Sequence, residues 1–144
     1  MGIITLEKGK NEIGGRLTLF EKGLFDKGYK IVSSCYANIN DELYVNVYDC
    51  DELFCKITHY WMTLEFEVTY YKNGIPIKTD WYLNGEKLNK STSYYNGNGD
   101  KFIYYGSIKF PSNEMVLYKN NSGKREVISE SDLSKYIPTD VINI

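Results

Sequence analysis

The sequence predicts a mainly β protein: a single-domain antiparallel meander forming a β-barrel or two-sheet sandwich, with a short C-terminal helix. Three observations predict it. Apolar and polar residues alternate with a period of two over much of the chain, Asn-Gly steps separate the alternating segments, and one clear helix start stands near the C-terminus. A length of 144 residues suits one domain with one core. Residues 1–144 are therefore read as a single β-rich domain, with 62–128 as its meander.

In the first half the candidate strands are Ile3–Glu7, Arg16–Phe20, Tyr29–Tyr36, Glu42–Tyr48 and Leu53–Trp61, broken by Gly14-Gly15, Gly23, Gly28 and residues 38–41. The stretch Leu19–Phe25 reads alternatively as a short helix. In "TLEFEVTYY", Leu64, Phe66, Val68 and Tyr70 share one face while Glu65, Glu67 and Thr69 share the other, as in a half-buried strand. In "IPIKTDWYL" the same rule puts Ile75, Ile77, Trp81 and Leu83 on one face and Lys78, Asp80 and Tyr82 on the other. Pro76 has no ladder donor and belongs at a strand start or an edge.

Asn73-Gly74 and Asn84-Gly85 supply the positive φ angles of type I′ hairpin turns. A third turn, "NGNGD", leads into "KFIYYGSIKF", where Phe102, Tyr104, Ile108 and Phe110 alternate with Lys101, Tyr105, Ser107 and Lys109. "EMVLYK", "NNSGK" and "REVIS" make a last hairpin. Ser129 followed by Asp132 resembles a capping box, and the helix it starts ends before Pro138.

Composition narrows the function. No basic segment precedes a long apolar run and no apolar run is long enough to cross a bilayer, so neither a leader nor a membrane partner is expected. A net charge of -2 argues against nucleic acid, whose phosphates demand clustered Lys and Arg. Three cysteines are too few for a disulfide framework and suit reduced thiols in the cytoplasm.

No catalytic motif is present: a single histidine, His59, stands in a strand, without a nucleophile elbow, phosphate loop or metalloprotease helix. No enzymatic activity and no cofactor are expected. Cys35, Cys50, Cys55 and His59 lie close enough in sequence for a zinc site to be stereochemically conceivable. Buried free thiols are the simpler reading, and no metal is expected.

Five aromatic doublets stand out: Tyr60-Trp61, Tyr70-Tyr71, Trp81-Tyr82, Tyr94-Tyr95 and Tyr104-Tyr105. Neighbours on a strand point to opposite faces. The alternation sends Tyr70, Trp81 and Tyr104 inward and Tyr71, Tyr82 and Tyr105 outward. Tyr94 and Tyr95 are left unassigned by their weakly patterned surroundings. Tyr71, Tyr82, Tyr95 and Tyr105 are the candidate binding aromatics, since tyrosine gives a large contact area at low entropic cost. A second candidate surface is acidic, because Asp41, Glu42, Asp49, Asp51 and Glu52 lie in a stretch, 31–55, that has no Lys or Arg.

These features point to a non-enzymatic protein-binding factor of an inhibitor, immunity or anti-defence type, from a microbe or phage. It would act through the aromatic sheet face, the acidic surface, or both. The alternatives are a β-barrel for a small ligand and a carboxylate-based enzyme on a β scaffold. A homo-oligomer through an edge strand or the tyrosine face is compatible with each.

Overall fold

The computed structural model describes residues 2–6, 18–35, 42–60, 63–104, 114–119 and 124–144. Its strands are β1 (Gly2–Leu6), β2 (Lys30–Cys35), β3 (Glu42–Asp49), β4 (Glu52–Tyr60), β5 (Glu65–Lys72), β6 (Ile75–Leu83), β7 (Glu86–Lys87), β8 (Ser93–Tyr95), β9 (Lys101–Tyr104), β10 (Glu114–Tyr118) and β11 (Arg125–Ser129). The helices are α1 (Leu19–Asp26), a 3-10 helix (Glu130–Lys135) and α2 (Thr139–Ile142). All pairings are antiparallel, and the sheet runs in chain order from β1 to β11 except that β7 hooks onto β6 and leaves β8 as the next neighbour. The sheet is not closed: no ladder joins β1 to β11 among the described residues.

The turns follow local chemistry. Asn73 and Gly74 have φ of 53° and 76°, and Asn84 and Gly85 have 53° and 83°, the left-handed pair that matches the twist of a two-residue hairpin. The third turn works differently. The Asn96 side-chain oxygen accepts from the Asn98 and Asp100 backbone N–H groups at 3.0 and 3.1 Å, and Gly99 takes the positive φ.

The candidate strand over Arg16–Phe20 gives way, from Leu19 onward, to α1, in agreement with the alternative reading of Leu19–Phe25 as a short helix; residues 16 and 17 lie outside the described residues. The reason is a complete capping box. The Thr18 hydroxyl accepts from the Glu21 N–H at 3.3 Å while the Thr18 N–H donates to the Glu21 carboxylate at 3.1 Å. Phe20, Leu24 and Phe25 then fall on the stripe that packs against the sheet. Near the C-terminus Ser129 caps the 3-10 helix by accepting from the Ser131 N–H at 3.4 Å, a simple cap in place of the expected capping box with Asp132, and α2 begins directly after Pro138. Tyr105 and the alternation predicted over 105–110 lie outside the described residues, as does the turn over 120–123.

One face of the sheet carries both cores. Across eight strands a single row reads Ile31, Val47, Cys55, Tyr70, Lys78, Tyr94, Phe102, Leu117. The first half of this face packs under α1, and the second half packs under Leu133 of the 3-10 helix, Val141 of α2 and Ile137 between them. Ile77 touches both halves.

Ile77 also overturns the predicted faces of β6. Tyr71 pairs with Pro76 but Tyr70 pairs with Lys78, so Ile77 is an extra residue in a β-bulge. Beyond it the phase of the strand is reversed. Lys78, Asp80 and Tyr82 turn to the inner face, and Trp81 turns to the outer one. The expectation that Tyr82 points outward and Trp81 inward is thus corrected. Tyr82 lies flat against Phe66, with ring centroids 4.6 Å apart and planes at 6°.

Candidate functional site

The outer face of the sheet holds the predicted aromatics in a revised form. Tyr71 stays outward, half-buried, with the Lys56 ammonium 5.4 Å from its ring centroid. Burial, and then the neighbouring Tyr95 and Glu67, raise its hydroxyl above the ordinary tyrosine value. Tyr95 is also half-buried, its hydroxyl 3.1 Å from the Thr79 hydroxyl and its ring near the Lys101 ammonium. Where Tyr82 was expected stands Trp81, stacked on Tyr60 at 5.9 Å and 15°. Tyr44, exposed, extends the set, since the cross-strand row Tyr44, Thr58, Glu67, Trp81 is continuous. Threonines fill the lane beside it, with Thr69 and Thr79 joined at 2.9 Å. Among the described residues, α1, the 3-10 helix and α2 all pack on the opposite face.

The acidic residues do not converge. Asp49 and Glu52 pair across the tight β3–β4 turn with Asp51 exposed between them, and the Glu52 carboxylate accepts from the Asn73 N–H at 3.3 Å. Glu42 opens β3 at its other end, opposite Tyr60, roughly 23 Å away at ~3.3 Å per residue. Asp41 lies outside the described residues.

Two polar groups escaped the sequence reading. The first is Glu21 with His59. Both are buried, and the Glu21 carboxylate that caps α1 contacts the His59 Nε2 on β4 with its other oxygen. One side chain thereby pins both the start of a helix and the sheet beneath it. The Thr18-x-x-Glu21 spacing was the available signal.

The second group centres on Lys78, which is 1% exposed. Its ammonium donates to the Ile144 carbonyl at 2.8 Å and lies 3.8 Å from Asp80. Asp80 accepts from the Thr92 hydroxyl at 2.7 Å and sits 3.5 Å from Lys87. Burial pulls the Lys78 ammonium below the ordinary lysine value and Lys87 adds to that, while Asp80 opposes it. No local pattern marks these residues as buried, because the bulge alone turns them inward.

Cys55 shares the inner face with His59, but burial and then the Glu21 charge push its thiol well up, which keeps it neutral, and Cys50 is exposed at a turn. No group of three or more metal-ligating side chains occurs among the described residues.

The buried tyrosines have a titratable consequence. Burial first, then Asp80 and Glu130, push the Tyr94 hydroxyl up to about 12, and Tyr70 and Tyr104 are raised in the same direction. A folded value above the unfolded 10.0 makes a contribution that is complete below the unfolded value and lost as pH rises through the folded one. Lys78 shifts the other way and gains stability only up to the ordinary lysine value of 10.5. Unfolding free energy from urea titrations should therefore fall above about pH 10. Flat stability up to pH 12 would contradict these shifts.

Two hollows flank β6. One, of about 230 Å³, lies between the start of α1 and the ends of β4 and β5, lined by Thr18, Leu19, Phe20, His59, Leu64, Glu65, Phe66, Asn84 and Gly85. The other, of about 450 Å³, opens where β6 and β8 part after two paired residues, with Trp81, Lys90, Ser91, Thr92, Lys101 and Tyr104 in its walls. No helix among the described residues is long and apolar enough to cross a membrane.

Fold and surface together define a class by architecture: an open antiparallel meander with helices on its inner face and aromatic rings on its outer one. No family model, curated protein or solved structure matches this chain.

Proposed function

We propose that this chain is a non-enzymatic protein-binding factor, of the inhibitor, immunity or anti-defence type, that engages its partner through the outer face of the sheet. The observation that carries this reading is the grouping of Tyr44, Tyr60, Tyr71, Trp81 and Tyr95 on the face opposite the helices. Tyr and Trp are the residues that dominate binding energy at protein interfaces, and they do so at low entropic cost. The surrounding threonines, Lys56 and Glu67 supply hydrogen bonds around that centre.

Affinity capture from the native host, comparing the unaltered chain with Tyr71→Ala/Trp81→Ala, tests the reading. Each truncation at a binding centre costs about 2 kcal/mol or more, ~30-fold in affinity. The expected result is a partner lost by the double variant, which keeps its circular dichroism. Retention of the same partner at the same affinity would refute the assignment of this face.

A further inference from the structure

We infer that the 230 Å³ hollow beside His59 is a binding site for a small, uncharged bicyclic aromatic molecule of about the size of indole. The inference is independent of the outer-face reading, because none of the lining residues of this hollow is among the aromatic rings that reading uses.

Two leucine side chains stand exposed at the rim. Leu19 is 89% exposed at the first position of α1, and Leu64 is 60% exposed at the mouth. Leu64 also has a φ of 58° at the end of the β4–β5 loop, a position at which Gly or Asn is the usual occupant. Left-handed backbone costs an ordinary residue roughly 1–2 kcal/mol. The Leu64 carbonyl accepts from the Asn84 N–H at 3.2 Å, which holds the backbone, but both leucine side chains stand in water and would be covered by an apolar occupant. Strained residues of this kind gather at ligand clamps.

The walls set the chemistry. Phe20 and Phe66 face one another with centroids 6.0 Å apart and planes at 46°, and His59 lies 5.1 Å from Phe66. Glu21 fixes the imidazole from behind, so the ring is a placed wall rather than a mobile one. A cavity of roughly 150 Å³ takes one benzene ring, so this hollow has room for a fused second ring. Glu65 lines the site, Glu21 stands behind it, and no Lys or Arg is among its described lining residues. An anion is therefore disfavoured, whereas an N–H edge has acceptors within the rim.

Indole is the probe, and the one histidine of the chain is the reporter. The expected result is a saturable one-to-one displacement of the His59 imidazole resonance and a rise in melting temperature with indole. Two variants locate the site without touching the core: Leu19→Glu puts a carboxylate at the mouth, and Leu64→Gly removes one lip while relieving its backbone. Each should weaken indole at least tenfold with the fold retained, and indole-3-carboxylate should bind at least tenfold more weakly than indole. The inference is overturned by an unmoved His59 resonance at millimolar indole, by variants that bind as the unaltered chain does, or by equal binding of the carboxylate.

Discussion

Replacing His59 with Ala should lower the unfolding free energy by about 3–5 kcal/mol, because it leaves the Glu21 carboxylate buried without the partner that faces it. Glu21→Ala should cost at least as much. It strips the buried imidazole of its carboxylate and also removes the return hydrogen bond to the Thr18 N–H, a helix cap worth about 1 kcal/mol. The decisive comparison is the apolar replacement of both. Glu21→Met with His59→Leu restores most of the loss, since a buried polar pair is often no more stabilising than well-packed apolar residues of similar volume. Urea unfolding of the two single variants and the double variant measures this. Single variants within 1 kcal/mol of the unaltered protein would show that the pair is not buried as described.

The second large effect is expected at Asp80. With Asp80→Ala, the Lys78 ammonium keeps only the Ile144 carbonyl and the face of Tyr94, and Thr92 loses its acceptor. The loss should again be about 3–5 kcal/mol. Lys78→Met alone should be much milder. The Asp80 carboxylate keeps Thr92 and the half-exposed Lys87, and the methionine fills the volume of the lysine stem. The ordering of the two variants is the test. A Lys78→Met variant as damaged as Asp80→Ala would mean that Lys78 holds the C-terminal segment by its charge rather than by its bulk.

The parts of this fold that could be read from sequence are those decided within a few residues. β5 and β6 and the two Asn-Gly turns follow from alternation and from the φ angles that Asn and Gly tolerate. The cap at Ser129 follows from its own side chain. The helix over Leu19–Phe25 was legible as an alternative to a strand, and the equally local capping box of Thr18 and Glu21, which decides between the two, was overlooked. What alternation could not reveal depends on a neighbour. The bulge at Ile77 is a property of the β5–β6 pairing, so Trp81 and Tyr82 exchanged their expected roles while Tyr71, before the bulge on the partner strand, kept its own. The acidic residues illustrate the same limit. Sequence proximity grouped Glu42 with Glu52, and an antiparallel hairpin set them at opposite ends.

The bulge at Ile77 bears on how this chain is compared with others. A relative lacking that one residue would align along β6 with nearly full identity from Lys78 to Leu83, yet it would display what this chain buries and bury what this chain displays. Letter-by-letter similarity across this hairpin is therefore a poor guide to shared surface. The inheritance of a binding face here depends on conserving the length of the Gly74–Lys78 segment as much as its composition.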